Sequence, residues 1–317
     1  MEQEWQQVSR RRKSQRGPLH TRRAEPKVSK ASHNGGEEVM EPVPEVSIQK
    51  QSQITQRVRA IADVLQHSKL LKDALRVVVE HFELNTIKTQ VDNESPGMVH
   101  AEVATNKRPK LVGYGLGSFC ASSNAVHQLG FLVALREALD EGQMAVETNA
   151  DEKSDTIQHI AEIFDPAMNK SDAAIAKHFQ LTVIQENEHG RRRVESNTVF
   201  FMPHCGKTLY QNVVASNWGP EIKSLVIIGN SFSAYGDRVL ASQERQELLL
   251  VNVLPYLKEV PLPCGVSKTH DDFTRYEAAF NDLSVHIFPS ELLDRTLSDV
   301  NLAKMVAVAK SDLTNDL

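Results

Sequence analysis

An α/β fold of Rossmann type, with a parallel sheet covered by helices on both faces, follows from three features of this 317-residue chain. Short, nearly continuous apolar runs recur between amphipathic stretches. Those runs lack the strict polar–apolar alternation of a sheet with one wet face. A Gly-rich turn also joins the first of them to the longest helical pattern. The composition, 40% hydrophobic and 24% charged, is that of an ordinary globular protein able to bury a core.

Residues 1–50 are rich in Arg, Glu, Gln, Pro and Ser with almost no periodic apolar positions, and are expected to form a disordered basic tail. Residues 1–30 hold nine Lys or Arg against three Glu, so a segment of charge +6 precedes a remainder of −11 within a net −5. Residues 51–106 read as a helical extension and linker. Ile54, Val58, Ile61, Leu65, Leu71, Leu75, Val78, Val79 and Phe82 recur at helical spacing, as one or two amphipathic helices packed on the main domain. Residues 84–108 are a polar linker with a turn at Asn93–Gly97.

The core domain is expected over 107–290. Leu111–Tyr114 forms a strand that turns through Gly115, Leu116, Gly117 and Ser118 into a helix with Val126, Leu129, Leu132, Val133, Leu135 and Leu139 on its apolar face. An acidic loop (Glu147–Asp155) leads to a strand at Ile160–Phe164, closed by Asp165-Pro166. Ser171-Asp172 then caps a helix from Ala173 to Phe179. Further strands are expected at Leu181–Gln185, Thr198–Met202 and Leu225–Ile228, with a helix through Leu209 and Val213 to Trp218 and a long helix over Gln243–Leu257. Val260–Pro263, a helical piece from Asp271 to Phe280 and an edge strand at Val285–Phe288 complete the domain. A C-terminal helix occupies 291–317.

Three cysteines, Cys120, Cys205 and Cys264, lie far apart without CxxC spacing, the pattern of free thiols in a reducing compartment. No apolar run reaches the roughly 18 residues that span a bilayer, and the Arg-rich N-terminus lacks the apolar core of a secretory signal. A cytoplasmic location is expected, extended to the nucleus if the run Arg10–Lys13 is read as an import signal. The same run without interleaved aromatics makes nucleic acid a poor expectation as partner.

In an open α/β sheet a ligand sits outside the carboxyl ends of the strands, where strand order reverses. The candidate ligand-binding residues are those placed there: Gly113, Gly115, Gly117, Asp165, His204, Cys205, Asn230 and Ser231. The glycines allow a tight turn and close backbone approach, or simply tight packing. They depart from GxGxxG, since Cys120 stands where its third Gly would be, and match the glycines of GxGxG, in which Leu111 holds the place where an acidic residue is usual. Asp165 is placed to accept ribose hydroxyls or to close an Asp-Pro turn. His204 and Cys205 invite three functional readings, a thiol nucleophile activated by His, a metal site or a haem ligand, beside a purely structural one. Neighbours on an extended chain point opposite ways, and no Cys/His spacing completes a zinc site, so no metal is expected. Asn230 and Ser231 suit ligand contact or capping. His127 and Gln128, at the start of the first core helix, take no assigned role.

Taken together, GYGLGSF (Gly113–Phe119), HQL (His127–Leu129), FDP (Phe164–Pro166), FFMPHC (Phe200–Cys205), NW (Asn217, Trp218), IIGNSF (Ile227–Phe232), AFND and HIFP (Ala279–Pro289) resemble the Sensitivity to Red light Reduced family. The resemblance spans most of residues 50–290. It implies a regulatory protein, linked to circadian-clock and light-signalling control in plants and to clock-gene expression and haem biosynthesis in animals. It transfers no catalytic residues.

The expected function is therefore that of a regulator that senses a nucleotide-like ligand or haem, more a binding protein than an enzyme. A transferase using S-adenosylmethionine or another nucleotide cofactor is the first alternative. A pure interaction scaffold, engaging regulatory protein partners through the tail and first helix, is the second.

Overall fold

A computed structural model describes residues 43–92, 109–147, 161–238 and 242–311. The expected basic tail before residue 43, the linker over 93–108 and the acidic loop beyond Glu147 lie outside the described residues. Among the described helices none is long and apolar enough to cross a membrane.

Helix α1 (Ile48–Gln66) starts at Ser47, whose side chain accepts the Lys50 N–H, and α2 (Lys69–Asp92) follows after a two-residue break. Ser68 makes that break: its Oγ donates to the Leu65 carbonyl and accepts the Leu71 N–H. α2 runs to Asp92, well into the stretch expected as linker. Strand β1 (Lys110–Tyr114) leads to α3 (Ser123–Glu147), then come β2 (Ala161–Phe164), α4 (Lys170–His178) and β3 (Thr182–Val183). The expected third strand is longer than the two residues that pair. The cap of α4 is Asn169 in place of Ser171-Asp172: its side chain accepts the Asp172 N–H while Asp172 accepts the Asn169 N–H, a reciprocal capping box.

Next come β4 (Thr198–Met202), α5 (Lys207–Ser216), β5 (Leu225–Asn230), and α6 (Phe232–Arg238), over a stretch to which the sequence reading assigned no element. The long helix expected over Gln243–Leu257 is broken. It divides into α7 (Ser242–Glu247), α8 (Leu249–Asn252) and a 3-10 turn at Leu254–Tyr256, because Leu248 is extended and Pro255 has no N–H to donate. Asn252 Nδ2 satisfies the carbonyls of Gln246 and Leu248 that the break frees. Strand β6 (Lys258–Pro261), α9 (Phe273–Phe280), β7 (Leu283–Ile287), α10 (Leu293–Ser298) and α11 (Val300–Ser311) complete the order.

The seven strands run in the order β3-β2-β1-β4-β5-β7-β6. All are parallel except β7, which lies antiparallel to both β5 and β6. The expected edge strand is thus an interior one, buried at every position, while half-exposed β6 forms the edge. The strand order reverses between the parallel neighbours β1 and β4, where one run of strands proceeds to β2 and β3 and the other to β5.

Two cores explain why the strands read as continuous apolar runs. In β4 and β5, Val199, Phe201, Val226 and Ile228 face one core, which includes residues of α1, α2, α3, α4 and α9. Phe200, Met202, Leu225 and Ile227 face the other, with residues of α5, α8 and α11. The helical extension belongs to the first core. Val58, Ala62 and Leu65 of α1 are fully buried, each large one contributing about 1.5–3 kcal/mol. Gly130 of α3 is needed there, since a Cβ on it would stand 2.6 Å from Ile61 Cγ2.

Candidate functional site

β1 ends in a sharp turn. Gly115 (φ +70°) and Gly117 (φ +76°) are left-handed, a conformation that costs any residue with a Cβ. Gly113 differs: it lies within β1, and a Cβ there would press on Ile163, Leu116 and Leu132 at 3.2–3.3 Å, so it serves packing of the strand on α3. The turn is pinned to the end of β2. Gly115 N–H donates to the Phe164 carbonyl (3.0 Å) and Gly117 N–H to Asp165 Oδ2 (2.7 Å), while Asp165 Oδ1 accepts the Ala167 N–H (2.8 Å). Asp165 closes its own Asp-Pro turn and holds the Gly turn at once.

The ends of β4 and β5 are joined just as closely. His204 is left-handed (φ +56°), and its N–H donates to Asn230 Oδ1 at 2.7 Å. Asn230 Nδ2 donates to Tyr235 Oη, and Tyr235 Oη donates to the Cys205 carbonyl at 2.7 Å. The Asn230 N–H donates to Tyr210 Oη, which itself donates to the Met202 carbonyl. Gly229 makes room for that phenol, since a Cβ there would stand 2.6 Å from Tyr210 Oη.

His204 and Cys205 diverge, although His204 sits in a left-handed turn and not in the extended chain on which the expectation of opposite directions rested. The exposed imidazole turns its Nε2 to the Ala279 carbonyl at 3.1 Å, in the last turn of α9, where Gln128 also donates. The buried Cys205 thiol lies against Gly115 and the Tyr114 carbonyl, and burial, with the nearby Asp165 charge, pushes it up to about 12. Among the described hydrogen bonds none joins the two side chains, so neither activates the other as nucleophile and base.

Ser231 is a capping residue. Its Oγ accepts the Ala234 N–H in the first turn of α6, beside Glu259, which accepts Ser233, and His286 Nε2, which accepts the Phe232 N–H. His286 is fully buried and stacks on Phe232 at 3.9 Å; burial lowers it to about 4, against the upward pull of Glu259 and the Ile227 carbonyl. His127 is buried too, its Nδ1 bonded to the Ser123 carbonyl in its own helix.

The structure therefore brings Gly115, Gly117, Asp165 and Cys205 together at one end of the reversal between β1 and β4, with His204 and Asn230 beside them. Ser231 and Gly113 are spent on capping and packing. Sequence reasoning missed the tyrosines that bind the ends together and the cluster of Tyr114, Glu162, Glu188 and Arg192 flanking β1 and β2. There Arg192 bridges both carboxylates and Glu188 accepts the Tyr114 hydroxyl. A charged Glu162 inside the apolar run AEIF was the available signal. Two clefts open elsewhere, about 640 Å³ between α1 and α4 and about 270 Å³ between α1 and the segment before α3. The strand ends hold the denser polar chemistry and remain the candidate site. Among the described residues no group of three or more His, Cys, Asp or Glu could hold a metal ion.

Comparison with known proteins gives this arrangement its relatives. The family model for the SRR1 domain matches residues 71–287. An SRR1-like protein of Mus musculus is 29% identical over 220 residues, which is 65% of this chain and 80% of that protein. Protein SENSITIVITY TO RED LIGHT REDUCED 1 of Arabidopsis thaliana is 23% identical over 231 residues, 71% of this chain and 77% of that protein. An SRR1-like protein of Drosophila melanogaster is 26% identical over 191 residues, 58% and 56% of the two chains. No solved structure gives a significant match. With a family model covering well over half of its length, this chain belongs to the SRR1 domain family.

Proposed function

We propose that this chain is a regulatory protein that works by binding, and that its Rossmann-like domain senses a small nucleotide-like ligand or haem where β1 and β4 part. The processes it serves, on this reading, are those its family resemblance implies: clock-gene expression, light-type signalling and control of haem biosynthesis. One observation carries the preference for binding over catalysis. The polar side chains at the strand ends are bonded to the backbone and to each other, and the thiol among them is buried and held protonated.

Asp165 supports the ligand part of this reading. It stands at the end of β2 beside a Gly turn after β1, where nucleotide-binding α/β proteins keep a carboxylate for ribose hydroxyls. The same observation favours a transferase with an S-adenosylmethionine-type cofactor as the second reading. In the scaffold reading, partners would meet the tail and the polar face of α1, because the apolar face of α1 is buried within the first core. The basic run Arg10–Lys13 supports a site of action in nucleus as well as cytoplasm.

The test is the melting temperature of the full chain against S-adenosylmethionine, S-adenosylhomocysteine, nicotinamide dinucleotides, nucleoside phosphates and haem, with Asp165→Ala as control. A ligand at about a hundred times its dissociation constant adds roughly 2.7 kcal/mol and raises the midpoint by several degrees. A shift lost in the control supports the sensor. No shift with any compound removes the sensor and transferase readings together and leaves the scaffold.

A further inference from the structure

We infer that the cleft between α1 and the start of α3 is an anion site, separate from the strand ends, that takes the phosphate group of a small phosphomonoester. The cleft holds about 270 Å³ and is lined by Lys50, Gln53 and Arg57 of α1 and by the chain from Phe119 to Ser123. That is below the roughly 300–1,000 Å³ of pockets that enclose a drug-sized ligand, but ample for a phosphate and the few atoms beside it.

Its charge sets this cleft apart. α1 brings two exposed cations to it, Lys50 and Arg57, and neither forms an ion pair among the described residues. Arg59, two residues further on, is by contrast closed by Glu137 at 2.8 Å. Arg57 donates to the neutral Ser123 hydroxyl at 3.1 Å, which places its guanidinium at the first residue of α3. Lys50 lies near enough to Cys120 for its charge to act on the thiol.

The backbone adds donors to these cations. Ser122 Oγ accepts the Ala125 N–H, but among the described hydrogen bonds none takes the N–H of Ser123 or of Asn124. Such groups, at the positive end of a 25-residue helix, favour an anion. Two carboxylates lie near enough to oppose this, and both are engaged. Asp172 is fully buried, its oxygens accepting the Cys120 and Asn169 N–H groups, and Asp272 is held by Arg275 at 2.6 Å. Burial, with Asp172 beside it, pushes the Cys120 thiol up to about 12, so the sulfur meets an anion uncharged.

A phosphomonoester suits this set better than a carboxylate does. It brings about −1.5 to −2 charges and three terminal oxygens to two cations, two N–H groups and the serine hydroxyls, where a carboxylate offers one charge and two oxygens. α1 then does more than pack. Its apolar face completes the first core, while its polar face supplies both cations.

The experiment titrates the full chain with inorganic phosphate and glycerol 3-phosphate, against acetate, by calorimetry, and follows the backbone N–H signals by NMR. The expected result is saturable binding of both phosphates, at least about tenfold tighter than acetate, that moves the Ser123 and Asn124 signals. Arg57→Gln and Lys50→Gln should each weaken phosphate by about tenfold while the melting temperature without ligand stays close to that of the native chain, because both side chains are exposed. Arg76→Gln, on α2 and outside the cleft, should leave the affinity unchanged. Signals that move only within residues 1–30, or an affinity that ignores both α1 variants, would overturn the inference, because the basic N-terminal run would then be the binder. Acetate binding as tightly as phosphate would overturn the phosphate assignment, and failure of both phosphates to bind would overturn the site.

Discussion

The sulfur of Cys205 occupies the space a side chain on Gly115 would need, so the turn after β1 and the turn after β4 are packed directly on one another. Gly115→Ala would meet that sulfur well inside van der Waals contact and adopt a strained φ as well. We expect a loss of about 2–4 kcal/mol by urea denaturation, partly restored in the double variant with Cys205→Ala. Gly117 is the internal comparison. Its φ is similar, but an added Cβ would stand at an ordinary 3.7 Å from Ala125, so Gly117→Ala should cost only about 1 kcal/mol. Similar costs at the two positions would mean that conformation alone makes the turn need glycine.

Asn230 joins the ends of β4 and β5, and Tyr210 is its anchor. Tyr210→Phe removes one hydroxyl that both accepts the Asn230 N–H and donates to the Met202 carbonyl, in a site where no exposed group replaces it. The expected cost is about 1–3 kcal/mol, with the denaturant slope unchanged. Asn230→Ala should cost at least as much, because it orphans the His204 N–H in a left-handed turn. A near-neutral result for Tyr210→Phe would show that the two strand ends hold together without this bond.

How far the sequence discloses this arrangement depends on the range of the interaction. β4 is legible to the residue because, after a buried β-branched Thr198, Val199–Met202 is apolar throughout and faces two cores. The break at Leu248 is not, since local periodicity continues through it and the start of a second helix is marked by a long-range bond, the Leu249 N–H donating to Gln211 Oε1. The interior place of β7 is hidden for a related reason. Strand order is decided by pairing across some sixty residues of sequence, and nothing within LSVHI reveals its neighbours. At the site, residue types led to the right strand ends and offered, beside ligand contact, the uses seen in Ser231 as cap, Gly113 as packing and Asp165 as the closer of its Asp-Pro turn; that Asp165 also clasps the Gly117 N–H was hidden, because the two lie 48 residues apart.

His286 predicts how stability responds to acid. Folded, it is neutral, accepts the Phe232 N–H and is lowered to about 4; unfolded, it titrates near 6.5. Its contribution is therefore complete above about pH 6.5 and is lost as pH falls from there towards 4, because over that window only the unfolded chain binds the proton. The slope approaches about 1.4 kcal/mol per pH unit. Burial raises the Glu259 carboxyl, but hydrogen bonds from Ser231 and Ser233 and the neighbouring His286 outweigh it, leaving it below its ordinary value; its contribution is lost at still lower pH. Urea midpoints from pH 7 to 4.5 should fall for the native chain and fall less for His286→Phe. Parallel curves would place the acid sensitivity elsewhere.

Arg192 ties the segment between β3 and β4 back onto the sheet. Its guanidinium takes Glu188 through two nitrogens and Glu162 of β2 through a third contact, while Asn217 holds the backbone on either side by accepting the Val194 N–H and donating to the Arg192 carbonyl. Burial works to raise the Glu188 carboxyl, yet the bonds from Arg192 and Tyr114 bring it below its ordinary value, so the cluster is a net attraction. The side chains are roughly one-fifth to one-quarter exposed, which discounts the figure for a fully buried pair. Arg192→Ala, leaving two carboxylates facing each other, should cost about 1–3 kcal/mol. Arg192→Lys should recover only part of that, since an ammonium cannot match the two-point geometry. Tyr114→Phe should cost least, because Glu188 keeps its arginine. Full rescue by lysine would reduce the cluster to simple charge neutralisation, whereas the expected order makes the guanidinium fork the element that fixes this segment over the ends of β1 and β2.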